Sequence, residues 1–293
     1  MTDALEDIRI KSWEHFNKVC LKLEGYGSGS TDTVIFRGCR DAGWELIPSL
    51  YWKLKTLQID SQQIHEIERE FIDRFKQKWF FDEMKSYIEH TSLFPVLYIM
   101  QHYGIKTRML DWTLSWKVAA YFATESDPKF DGKDAAVWCI NRAQIENRFE
   151  EFCGEQYKQR SLNRGISSLN NYNLCLKNKN ECPVKQPNSQ IQCNAIFFKD
   201  VFSSSTDARM IIQASVFTYC PNPLLDHIEC INKVLVEDTE KYCKKMIIPK
   251  ELKREFRSEL DRSEYTREKL YSEGVEKWCK ETFLEILAEY QKN

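Results

Sequence analysis

The sequence predicts an α+β fold: a mixed or antiparallel sheet core flanked by helices, with helical N- and C-terminal segments in one elaborated domain. Three observations lead there. Short β-branched and aromatic runs are separated by stretches of helical periodicity, the two kinds of element do not alternate in the regular manner of βαβ units, and 293 residues is about the largest chain that keeps a single hydrophobic core. The expected division is an N-terminal helix with a flexible connection over 1–32, then the main domain over 33–293 with a polar insertion at 160–194.

Between Leu5 and Leu23 the apolar residues Leu5, Ile8, Trp13, Phe16, Val19, Cys20 and Leu23 recur roughly every three or four positions, which predicts an amphipathic helix ending at Gly25. Three glycines and two serines in Gly25–Asp32 then lead into a strand at Thr33–Arg37. Ile67, Phe71, Phe75 and Trp79 keep a four-residue spacing and place one face of a long helix in the core. Leu93–Tyr103 reads as a helix with Pro95 in its first turn and Gly104 as its stop. Trp116–Thr124 reads as a short buried helix, since Ala119, Ala120, Tyr121, Phe122 and Ala123 leave it little polar surface. Strands are expected at Ala135–Ile140, Ala195–Phe198, Met210–Tyr219 and Lys245–Ile248, and a helical tail begins at Pro249. Arg160–Asn194, rich in Asn, Ser, Lys and Gln, is the polar insertion.

Composition narrows the function classes. Hydrophobic residues make up 42% and aromatic residues 13% of the chain, enough for a sizeable core, while 29% charged residues exclude a membrane-embedded body. A formal charge of −2 gives no whole-molecule drive toward nucleic acid, which leaves only a local basic groove to support a nuclease-like activity. Apolar runs such as Leu93–Met100 fall far short of the roughly 20 residues that cross a bilayer, so no membrane partner is expected. Met1–Ile10 carries Asp3, Glu6 and Asp7 without the basic and apolar stretches of a secretory signal, which predicts a cytoplasmic protein. The 11 cysteines, scattered from Cys20 to Cys279 and never spaced as Cys-x-x-Cys, read as reduced packing thiols. No metal is expected, because neither a His-Glu-x-x-His motif nor paired cysteine ligands are present.

Polar groups crowd most densely between Gln101 and Thr113, where Gln101, His102, Tyr103, Thr107, Arg108, Asp111 and Thr113 lie between two apolar helices. A buried Arg108 or Asp111 is costly unless paired or bound to a ligand, so these residues either form a network or line a cleft. The alternative is architectural: Asp111 and Thr113 are both suited to cap the helix that starts near Trp116. A second cluster is Phe36-Arg37-Gly38, followed by Trp44 to Leu50 with Pro48-Ser49. An arginine at a strand end, beside a glycine that permits close approach, suits a phosphate or carboxylate. The plainer alternative is a salt bridge from Arg37 to Asp111 or Glu45. His102 beside Tyr103 is a candidate general base.

These segments, taken in order with Leu110-Asp111-Trp112-Thr113, Ala120-Tyr121-Phe122-Ala123, and then Arg209, Gln213, Phe217 and Lys245–Pro249, resemble the successive motifs of the FRG domain family over roughly Thr33–Tyr271. One departure is Ala214-Ser215, where the family pattern has glycine after Gln213. The resemblance supplies a site rather than a reaction, and it implies a bacterial protein with a part in microbial or phage conflict.

The arginine-bearing strand, the serine-rich Phe202–Thr206 and the strand ending at Phe217 are also loosely similar to ADP-ribosyltransferases. That likeness implies NAD or another nucleotide as ligand, cleaved by an ADP-ribosyltransferase-like enzyme or an NAD glycohydrolase. Its catalytic residues are expected among His102, Tyr103, Asp111 and Gln213, with Asp207 a poor candidate for the acid. Arg37, Gly38, Ser49, Gln101, Thr107, Arg108, Thr113 and Tyr121 are expected to bind the ligand. The rival from another class is a noncatalytic ligand-sensing or protein-binding module.

Overall fold

The computed structural model describes residues 7–25, 34–56, 61–77, 96–97, 100–101, 105–153, 197–200, 213–219, 226–235 and 239–270. The strands are β1 (Ile8–Arg9), β2 (Val34–Cys39), β3 (Met109–Thr113), β4 (Ala135–Asn141), β5 (Phe197–Asp200), β6 (Ser215–Tyr219) and β7 (Cys243–Ile248). They form one seven-stranded sheet in the order β1-β7-β4-β2-β3-β6-β5. Every neighbouring pair is antiparallel except β1 with β7, so the sheet is mixed.

The main helices are α1 (Trp13–Gly25), α2 (Ser49–Thr56), α3 (Ser61–Gln77), α4 (Trp116–Thr124), α5 (Arg142–Cys153), α6 (His227–Leu235), α7 (Thr239–Tyr242), α8 (Lys253–Arg262) and α9 (Arg267–Leu270). Alternation along the strands divides the sheet into two buried faces. Val34 and Phe36 of β2, Val137 and Cys139 of β4, and Met246 and Ile248 of β7 share a core with α1, α4 and α8. On that side Trp13, Phe16 and Phe256 pack with ring centroids 5.1–6.0 Å apart. The opposite face buries Ile35, Ile140 and Ile247, and it is there that Thr218 of β6 meets His227 at the start of α6. The result is helix, sheet, helix, with the central strands β4 and β2 covered on both sides.

Several sequence expectations change, among them the strand expected at Met210–Tyr219, which begins at Ser215 after a turn at Gln213 and Ala214. The expected N-terminal helix begins only at Trp13, where Ser12 caps it through a hydroxyl that accepts from His15 N at 3.2 Å, and Ile8 lies upstream in an edge strand paired with Met246. Asp111 and Thr113 do not cap α4: they belong to β3, and Ser115 is the N-cap, accepting from Val118 N at 3.4 Å. The closing strand starts earlier than expected, at Cys243. Residues 96, 97, 100 and 101 are helical within the stretch expected to be so, while Trp79, Gly104, the 160–194 insertion and Met210–Ile212 lie outside the described residues.

Candidate functional site

The geometry of the site follows from one irregularity in the sheet. β2 pairs with β4 along its whole length, from Val34–Asn141 to Cys39–Ala136, and β3 pairs with β6 along its whole length, but the register between β2 and β3 contains only Phe36–Thr113. Past that point the two strands diverge and the middle of the sheet is forked. A cleft of about 340 Å³ occupies the fork.

Arg37 reaches into it. Its Nη1 donates to the main-chain carbonyl of Asp111 at 2.6 Å and to the Asp111 carboxylate at 3.1 Å, so a guanidinium satisfies backbone that the missing ladder leaves unpaired. The Asp111 side chain is 56% exposed, against 21% for Arg37, and the Nε of Arg37 is buried without a partner. The next residue shows why the motif needs glycine. A Cβ on Gly38 would lie 2.0 Å from the Ala119 carbonyl oxygen and 2.7 Å from Ala123 N, so α4 packs its backbone directly onto β2. The small residues Ala119, Ala120 and Ala123, all fully buried, permit that approach from the helix side.

Arg37, Gly38, Ser49, Gln101, Asp111, Thr113 and Gln213, all expected as site residues, line the cleft together. Gln101 is held by the hydroxyl of buried Thr107, which also accepts from Met109 N at 3.2 Å, so Thr107 acts behind the wall rather than on it. Thr113 donates to the Gln213 carbonyl at 2.6 Å, and the Gln213 amide donates to the Leu270 carbonyl at 2.7 Å. The turn between Gln213 and Ser215 places Ala214 at φ 45°, in the left-handed region that favours glycine.

Besides Thr107, two expected ligand contacts are elsewhere. Arg108 is fully buried behind β3, and its Nε donates to both carboxylate oxygens of Glu68 at 2.8 Å, so it ties α3 to the sheet and does not line the cleft. Tyr121 faces a neighbouring depression, shared with Arg257 and Arg267, and Glu125 lines both it and the cleft. His102, Tyr103, Asp207 and Arg209 lie outside the described residues.

The structure adds cleft residues to which the sequence reading assigned no site role: Arg40, Trp44, Lys106, Phe122, Glu125 and Phe217 all line it. Glu125 follows the last turn of α4, 12% exposed, and pairs with Arg267 at 2.9 Å. Arg40 is legible in retrospect as the first cation after the Phe-Arg-Gly triplet. Nothing in local sequence brings Glu125 to the same place, because only the packing of α4 on Gly38 does so. Behind the cleft, Trp112 Nε1 donates to Thr218 Oγ1 at 2.8 Å, which in turn lies 3.0 Å from Nδ1 of fully buried His227. Burial, with a smaller contribution from Arg37, pushes the His227 pKa down to about 3, so this imidazole is neutral at pH 7. Burial pushes the pKa of the Cys39 thiol beside Arg37 up, which disfavours its thiolate.

Among the described residues no cluster of His, Cys, Asp or Glu is placed to hold a metal ion, and no helix is long and apolar enough to cross a membrane. What the geometry defines is an α+β domain with a basic and aromatic cleft at the fork of its central sheet. Residues 32–132, about a third of the chain, match the FRG domain family. The segment supplies β2, β3, α4 and the main part of the cleft wall, while Gln213, Ser215 and Phe217 come from beyond it. No curated protein and no solved structure matches the chain.

Proposed function

We propose that the cleft binds and processes a nucleotide, with NAD as the substrate of an ADP-ribosyltransferase-like or NAD glycohydrolase reaction. The observation that carries this reading is Arg37 in the fork, with Arg40 and Lys106 beside it and the aromatic rings of Trp44, Phe122 and Phe217 on the surrounding walls. A guanidinium with fixed donors suits the planar oxygens of a phosphate, and apolar rings suit a base or a nicotinamide.

In the reaction the bond between ribose C1′ and the nicotinamide nitrogen breaks, and its electron pair leaves with nicotinamide. The cationic sugar is then attacked by water or by a target side chain, which loses a proton. Arg37 and Arg40 counter the pyrophosphate charge, and a carboxylate facing the sugar stabilises the developing cation. Asp111 and Glu125 are the carboxylates among the residues that line the cleft, and the Gln213 side chain orients the sugar. The Gln101–Tyr103 segment is assigned the placement of the reacting ribose, on the strength of its sequence.

The test is incubation of the protein and its Arg37→Ala variant with labelled NAD and cell lysate, following nicotinamide release and transfer of label to macromolecules. Turnover by the native chain that falls at least a hundredfold in the variant is the expected result. No turnover from a folded native chain would replace this reading with the ligand-sensing or protein-binding module.

A further inference from the structure

We infer that Arg40 and Trp44 form a nucleoside subsite on the rim of the cleft, the indole of Trp44 stacking on the ligand's base while Arg40 meets its phosphate. This deepens the nucleotide reading and rests on it, since it names the part of the ligand that separates a nucleotide from any other phosphate ester.

The turn that follows β2 is built to hold these two side chains still. Trp44 N donates to the Asp41 carbonyl at 3.1 Å, Gly43 N donates to the Asp41 carboxylate at 2.9 Å, and Ala42 N donates to the Asp134 carbonyl at 2.8 Å. Lys133 holds the other carboxylate oxygen of Asp41. Below the turn, Lys253 of α8 is 2% exposed and spends its ammonium on two main-chain carbonyls, those of Arg40 at 2.9 Å and Phe130 at 2.7 Å. A buried lysine that among the described residues has no carboxylate at hydrogen-bond distance, and instead pins two loops together, is a costly device. Its effect is to fix Phe130 against both rim residues.

Phe130 does not itself line the cleft. It braces the indole of Trp44 at a centroid distance of 5.0 Å and an interplanar angle of 81°, and the Arg40 guanidinium lies over its ring at 5.0 Å. Arg40 is also held by Asp127 at 3.0 Å through Nη1, which leaves a fixed fork with further N–H donors. A rigid indole beside a rigid guanidinium, both on the cleft wall, matches a flat aromatic group joined to a phosphate at short range. An aliphatic phosphate would leave the Trp44 platform unused. Base stacking on an aromatic side chain is worth about tenfold or more in affinity, and it loses little entropy where the ring is already fixed.

Calorimetric titration of 5′-AMP and of ribose 5-phosphate into the full chain, its Trp44→Leu and Trp44→Phe variants, and Arg37→Ala tests this, with thermal melts as the check on folding. The expected result is that AMP binds the native chain and loses about tenfold or more on Trp44→Leu, that Trp44→Phe keeps the larger part of the affinity, and that ribose 5-phosphate binds weakly and equally to all three Trp44 forms. AMP binding that is unchanged in Trp44→Leu but lost in Arg37→Ala would overturn the subsite and leave the nucleotide reading standing. Equal affinity of the native chain for the two probes would do the same. Failure of AMP to bind the native chain would overturn both.

Discussion

Gly38 and Arg37 are adjacent, yet they do unrelated work. Arg37 turns into the fork of the sheet and holds the Asp111 carbonyl, while Gly38 faces the opposite layer and lets α4 rest on β2. Gly38→Ala drives a methyl group into the backbone of Ala119 and Ala123, atoms that no side-chain rotation can move aside. Overpacking of this kind costs about 1–3 kcal/mol and more where backbone is the obstacle, so urea unfolding of Gly38→Ala is expected to show a loss at or above the upper end of that range. Arg37, Asp111 and Gln213 were legible in the sequence as polar residues in a fixed order, and the structure brings them to one cleft. Arg108 was equally prominent in the sequence but is paired in the core. Charge and spacing do not reveal burial, and its partner Glu68 lies on a helix read only for its apolar face.

At the scale of elements, α4 was plain because nearly every position in it is small or apolar, and the strands at Ala135 and Lys245 were plain because both faces of the sheet are covered. β3 was hidden. Its alternation, Leu110 and Trp112 toward one side with Met109, Asp111 and Thr113 toward the other, is masked by the polar residues that the fork requires. The two-residue β1 was read into a helix because Ile8 fits the three-to-four spacing that properly begins at Trp13. Glu68 shares a stripe with Phe71, Ile72 and Phe75, all buried, and this was the available signal for the ion pair that joins α3 to β3. Glu68→Ala leaves the Arg108 charge buried without its carboxylate and should destabilise the chain by about 3–5 kcal/mol, read as a fall in the denaturation midpoint. Replacing both partners with apolar residues of similar volume is expected to cost far less, which a double-mutant cycle would register as strong coupling.

At the scale of the whole molecule, a sheet that is continuous elsewhere parts between β2 and β3, and the cleft, the central arginine and the residues recruited from beyond residue 132 all converge there. The fork was not legible in the sequence, because a missing ladder between two strands leaves no compositional trace. The Phe-Arg-Gly triplet marks its position without showing its shape. Titration of ADP-ribose into the native chain and into Arg37→Ala, matched for folding by thermal melts, separates binding from chemistry and tests the central claim most directly. If Arg37 meets the phosphates at the fork, the native chain binds ADP-ribose and the variant loses about ten- to a hundredfold in affinity, the range for one charge-assisted contact. Equal binding by the two proteins, or none by the native chain, would contradict it.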